Sequence, residues 1–239
     1  MTQMSPFRTQ LQDAVNARHS RMNPFTEKWV NGDLTRSQLG AWARQHYQYV
    51  SQFARWCATV YGSCPDPDAR DFLLENIIEE ESGTKHVDLL IRFAEACGTT
   101  RERVTDPRNM NPVTRGLQGW CYATAMREHF AVATAALVVG LESQVPTIYR
   151  KQLPPLLEKY GFTEDETEFF DLHITSDEVH GERGYQIVLD HADTPDLQQR
   201  CLELVRAGAE MRFSYTKALY DTYVAPEAAP VANPEPALA

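Results

Sequence analysis

Long apolar runs are missing from this 239-residue sequence. The longest, Ala131 to Leu141, falls well short of the ~20 residues that a membrane-spanning helix needs. Met1 to Arg8 carries no apolar stretch of signal-peptide type. Cysteine is sparse: Cys57, Cys64, Cys97, Cys121 and Cys201 are widely spaced, odd in number and without a CxxC pair. That speaks against a disulfide framework or a thiolate zinc site, and for reduced core thiols in a cytoplasmic protein. Positive charge is in deficit, with 23 Lys and Arg against 33 Asp and Glu. A nucleic acid or an anionic membrane would favour clustered Lys and Arg, so neither is expected as a partner. No segment alternates apolar and polar residues convincingly enough for a strand, and no internal repeat is found. The length and the 43% apolar content suffice for one substantial core.

What is present is helical punctuation. Ser5-Pro6 reads as a cap followed by Pro at the first helical position, with a first helix to about Arg21. Asn23-Pro24-Phe25 breaks it, and Asn31-Gly32-Asp33 is a turn. The capping box at Thr35 and Gln38 opens one long aromatic-rich helix to about Tyr61. Asp66-Pro67 caps a helix that Gly83 interrupts, and His86 opens the next, to about Ala96. Residues 97–112 read as a loop, followed by a helix from Val113 to Glu142. Pro146 to Tyr160 is expected to be kinked or split by Pro154-Pro155. A second capping box at Thr163 and Glu166 opens a helix to about Leu189, and Thr194-Pro195 opens the last, to about Tyr223. The expectation is an all-α bundle of about seven to eight helices in one domain, 1–224, with a disordered tail, 225–239.

The helix opened at Thr163 holds the chemistry. His173, Asp177 and His180 stand at i, i+4 and i+7, within roughly 60° of one another around the helix axis. Imidazole and carboxylate are good metal ligands, and these three form one stripe. Bundle cores hold metals by aiming such groups inward from facing helices. Two further helices offer candidates: Glu79, Glu80 or Glu81 with His86 beyond Gly83, and Glu142 after the apolar run Leu137 to Leu141. A carboxylate there is costly to bury unless paired or metal-bound. Each feature alone is commonly a solvated charge or a structural histidine; their occurrence on separate helices is a metal-site pattern. His19, His46, His129, His191 and Cys121 lack such support. Trp42, Tyr47, Tyr122 and Tyr185 read as core rather than as a pocket or an electron path.

These residues resemble the heme-oxygenase-like di-iron oxidase/oxygenase family, in the superfamily of the thiamin-salvage proteins and the oxidase that closes the pyrroloquinoline quinone ring. The likeness runs from Asn23-Pro24-Phe25 and Asn31-Gly32-Asp33-Leu34-Thr35 through Glu142-Ser143-Gln144-Val145-Pro146 to the His173, Asp177, His180 stretch. It implies six ligands: Glu80, His86, Glu142, His173, Asp177 and His180. For the first, counting forward from Asn76 gives Glu80, which we take, and counting back from His86 gives Glu79. It further implies two Fe(II) ions per chain, or an Fe/Mn pair, with O2 as co-substrate. N-oxygenation, or oxidative cleavage or decarboxylation of an amine, amino acid or fatty acid, would be the reaction, with an external electron donor and a homodimer. The chlamydial member that makes para-aminobenzoate consumes its own tyrosine and lysine; the matching positions here are Thr26 and Gln152, with Lys151 adjacent, which favours an external small-molecule substrate. Competing readings are a cofactor-free oxidase, a para-aminobenzoate-synthase-like protein, and a non-catalytic binding or regulatory protein.

Overall fold

A computed structural model of the chain describes residues 5–228, whose regular structure is all helical, with no strand among them. The first helix, α1 (Pro6–Asn16), starts where expected: Ser5 Oγ accepts from the Arg8 amide at 3.2 Å. It ends sooner than expected, and a 3₁₀ turn, Ser20–Met22, follows. The Asn-Pro pair read only as a breaker also starts a helix, α2 (Pro24–Asn31): Asn23 Oδ1 accepts from the Phe25 amide at 3.0 Å. Gly32, at φ 81°, closes it in the left-handed conformation that favours glycine.

The capping box at Thr35 forms as expected and opens α3 (Arg36–Val50), but the helix does not run on to Tyr61. It breaks at Ser51-Gln52 and restarts as α4 (Phe53–Ser63). The cause is tertiary. In an unbroken helix the Gln48 carbonyl would accept from the Gln52 amide; instead Gln118 Nε2 donates to it at 2.7 Å, and the Tyr122 hydroxyl donates to Gln52 Oε1 at 2.7 Å.

The helices α5 (Pro67–Glu81) and α6 (His86–Ala96) match expectation. The expected loop 97–112 contains a short helix, α7 (Arg101–Thr105), capped by Thr100. The expected helix from Val113 to Glu142 is three pieces. The first, α8 (Pro112–Arg127), stops before His129, whose Nδ1 caps α9 (Phe130–Thr134). A π turn, Ala135–Val139, follows α9, in which the Gly140 amide reaches back to the Ala135 carbonyl at 2.8 Å; a 3₁₀ turn, Glu142–Gln144, completes the segment. Of the expected kink or split, the split does not occur: α10 (Val145–Glu158) runs through Pro154 and Pro155 as one helix. The prolines deprive the carbonyls of Arg150 and Lys151 of helical donors, and both residues are exposed, where water can serve instead.

Two long helices, α11 (Glu164–His191) and α12 (Pro195–Tyr223), complete the bundle. The tail expected from Ala225 begins with one more helical turn, α13 (Ala225–Ala228); residues 229–239 lie outside the described ones. The segment Phe130–Glu158 contains a stretch long and apolar enough to cross a membrane, but 89% of that stretch is buried inside the bundle. All five cysteines are buried and free.

The helix α11 is the axis, packed between α10, α6 and the π turn. Its close approach to the π turn depends on Gly184: a Cβ there would lie 2.5 Å from Val138 Cγ1. Gly184→Ala is expected to destabilise the fold by about 1–3 kcal/mol through overpacking, read as a lower urea midpoint at unchanged slope.

Candidate metal centre

Each candidate ligand owes its place to a local signal. The four residues between α5 and α6, turned by Gly83 at φ 60°, bring Glu80 and His86 to one side. The π turn and the 3₁₀ turn after it deliver Glu142, which is 8% exposed. Helical register on α11 delivers the stripe, with His173, Asp177 and His180 all buried.

These six side chains gather into two groups. Glu80, His86 and His173 form one, and Glu142, Asp177 and His180 the other, with ligand atoms of each group all within 4.8 Å of one another. His86 Nδ1 lies 3.0 Å from Glu80 Oε1, and the His86 and His173 rings meet edge to face at 4.8 Å. His173 Nδ1 donates to the Phe169 carbonyl at 2.6 Å, which leaves Nε2 as its free lone pair. In the second group His180 Nδ1 lies 3.0 Å from Glu142 Oε1 and 3.9 Å from Asp177 Oδ1. Glu79 also faces the centre: its Oε2 is 2.8 Å from His180 Nε2 and accepts from the Ser176 hydroxyl at 3.3 Å. Glu79 is half-exposed, whereas Glu80 is mostly buried.

The electrostatics are those of a site short of positive charge. Burial raises the Asp177 carboxyl well above its usual range, with the Glu142 and Glu80 charges adding to it. Burial likewise raises Glu142, against the pull of His180. Burial opposes protonation of His180, but its hydrogen bond and charge contact with Glu142, and the charge of Glu79, outweigh that and raise it. Burial pushes His173 down to about 4, which keeps it neutral and available as a ligand. Glu142 Oε2 is buried with no hydrogen-bond partner. An orphaned, desolvated carboxylate oxygen beside two further ligands fits a bound cation, which would satisfy it.

Four of the six candidate ligands, Glu80, Glu142, His173 and Asp177, line one cavity together with His46, Tyr149 and Arg212. On the outer side an open groove, lined among others by Glu79, Thr84, His86, Ser176 and His180, reaches the same centre from solvent. Sequence reasoning left His46 as ordinary and did not single out Tyr149 or Arg212. Only Arg212 carried a signal: it falls in helical register with Val205, Ala209, Thr216 and Leu219, a charge on a face that is otherwise buried. Of the aromatics, Trp42 stacks on His46 with ring centroids 4.4 Å apart. Tyr47, Tyr122 and Tyr185 do not line the cavity of the four candidate ligands.

Comparison with known proteins bears on the fold and the family. The chain is 30% identical over 230 residues to a 4-aminobenzoate synthase of Nitrosomonas europaea, covering 92% of this chain and 93% of that one. It is 27% identical to a pyrroloquinoline-quinone synthase of Rhizobium meliloti, covering 94% and 89%. Among solved structures, a TenA homologue from Pseudomonas syringae superposes with a TM-score of 0.78 at 18% identity, covering 90% of this chain and 91% of that one. A CADD-like protein from Nostoc punctiforme gives 0.73 at 15% identity, covering 91% and 97%. These likenesses establish the heme-oxygenase-like all-α fold. With residues 40–213 matching the family described as iron-containing redox enzymes, the chain belongs to that family.

Proposed function

We propose that the chain is a di-iron oxidase or oxygenase that uses O2 to oxidise an external small molecule. The observation that carries this reading is the pair of three-ligand groups, four of whose six members open onto one cavity. Glu80, His86 and His173 would hold one ion, and Glu142, Asp177 and His180 the other. The ions would supply the activation of O2 and the oxidising power. The protein's part is orientation and exclusion of water. The Phe169 carbonyl fixes the His173 ring, Glu142 Oε2 waits without a competing donor, and the aromatic wall of Tyr49, Phe53, Tyr149 and Phe169 keeps the cavity dry.

An external substrate follows from Thr26 and Gln152. They stand where the self-consuming relative has tyrosine and lysine, and neither a threonine hydroxyl nor a carboxamide can be spent in that way. Both are buried, and the Thr26 hydroxyl is engaged, donating to the Ser20 carbonyl at 3.0 Å.

Anaerobic titration of metal-free protein with Fe(II), followed by metal analysis after desalting, is expected to give two ions per chain. On exposure to air with a reductant and substrate, the loaded protein should consume O2 and the chelated protein should not. Binding of less than one equivalent would sink the di-iron reading. Activity that survives chelation would favour instead the cofactor-free chemistry also found in this superfamily.

A further inference from the structure

Arg212 is 6% exposed, and among the described residues no carboxylate lies within ion-pair distance of it. Arginine is almost never buried without an anionic partner, because an unpaired charge in a low-dielectric interior is strongly disfavoured. The carboxylates of Glu80, Glu142 and Asp177 share one cavity with Arg212 without pairing with it; the other groups that border it are uncharged. Tyr49, His46, Tyr149 and Tyr215 share its cavities. Burial holds all three tyrosines protonated and His46 uncharged.

Arg212, His46 and Tyr149 line two cavities at once. One faces the candidate ligands; the other lies behind and is bounded by Ser20, Thr26 and Gln152. In this rear cavity Gln152 is 3% and Ser20 2% exposed, yet Gln152 Oε1 and Ser20 Oγ have no hydrogen-bond partner. A cation without an ion-pair partner and two polar groups without hydrogen-bond partners, on the wall of one cavity, describe an unfilled binding surface.

We propose that Arg212 and Gln152 hold the external substrate, and that it is a compact amino or hydroxy acid. Its carboxylate pairs with the Arg212 guanidinium, whose planar fork matches that group. Its amine or hydroxyl donates to Gln152 Oε1 and Ser20 Oγ, and the rest of the molecule points into the cavity shared with Glu142 and Asp177. Both cavities hold little free space, which favours a compact acid over a long-chain one. Two divalent ions would offset the charges of Glu79, Glu80, Glu142 and Asp177, and Arg212 would then leave the loaded centre net positive, so an anionic substrate is also the one it favours. The inference rests on the oxidase reading for which end of the substrate reacts; recognition by Arg212 does not need the metal.

The test is calorimetric titration of metal-free protein with glycine, L-alanine, L-serine, glycolate and lactate, each beside its primary amide. At least one acid is expected to bind with Kd below about 1 mM, and its amide roughly tenfold or more weakly. Arg212→Gln is expected to erase that difference, Arg212→Lys to keep part of it, and Gln152→Leu to weaken binding of the acid. No binding by any acid, equal binding of acid and amide, or an unchanged Arg212→Gln would each overturn the proposal. Equal binding is what a guanidinium serving only as counter-charge to Asp177 would give. Should Arg212→Gln fail to fold, the acid and amide comparison on the parent chain decides. Acids that bind through Arg212 to a protein that takes up no iron would leave this inference standing and remove the oxidase reading.

Discussion

Glu142→Ala is expected to reduce Fe(II) uptake from two ions per chain to at most one, with O2 consumption falling to background. Changing a partner that merely orients a ligand weakens metal affinity about 10–100-fold, and Glu142 is proposed as a ligand itself, so its loss should exceed that. The fold should survive, since the variant removes a buried carboxylate whose Oε2 has no partner. Far-UV circular dichroism should match the parent. The informative control is Glu79→Ala. Glu79 Oε2 approaches His180 Nε2 at 2.8 Å, but its side chain is 48% exposed, and a solvated carboxylate is released at little expense. A loss of less than about tenfold in iron affinity is therefore expected there. If Glu79→Ala abolished one ion and Glu142→Ala did not, the second group would have to be redrawn around Glu79.

That control exists because the sequence left two answers for one ligand. Counting from Asn76 and from His86 chose between Glu80 and Glu79, and the structure gives each a place. Successive residues on a helix diverge by 100°, so at the end of α5 Glu80 meets His86 and His173 while Glu79 reaches His180. Counting cannot separate them because the Gly83 turn, not the helix, sets the register of His86.

Elements with their own caps were legible: Asp66, Thr163 and Thr194 open α5, α11 and α12 through side-chain hydrogen bonds within the first turn. Breaks imposed from elsewhere in the chain were not. Ser51-Gln52 carries no breaker residue, and the helix parts there because Gln118 and Tyr122, some 70 positions away, take its hydrogen-bonding groups. The π turn before Glu142 hides in the same way within an Ala-rich run of ordinary helical propensity. The site divides along the same line. Residue type and spacing suffice for a stripe such as His173, Asp177 and His180; the roles of His46, Tyr149 and Arg212 depend on which cavity they border, and that is fixed by packing between helices.

Asp177→Asn is expected to stabilise the metal-free protein while weakening the iron-loaded one. Asp177 is 4% exposed, and burial together with the Glu142 and Glu80 charges raises its pKa well above that of the unfolded chain. The folded protein therefore keeps a proton that the unfolded chain releases near pH 4, so the contribution of this group to stability is greatest at low pH and declines as pH rises. Asparagine of the same shape carries no charge to bury. Urea unfolding of metal-free protein should favour the variant by about 1–3 kcal/mol at pH 8, with the advantage shrinking as pH falls toward 4. Iron reverses the order, because an ion that binds only the folded state stabilises it in proportion to RT ln(1 + [L]/Kd), about 4 kcal/mol at a thousandfold excess over Kd. The parent gains this fully, and the variant, with one ligand of the Glu142, Asp177, His180 group impaired, gains less. A variant no more stable than the parent without metal would mean that Asp177 is not the strained carboxylate this centre requires. Crossing curves, with and without iron, would show that stability in this bundle is given up at Asp177 so that the ion can restore it.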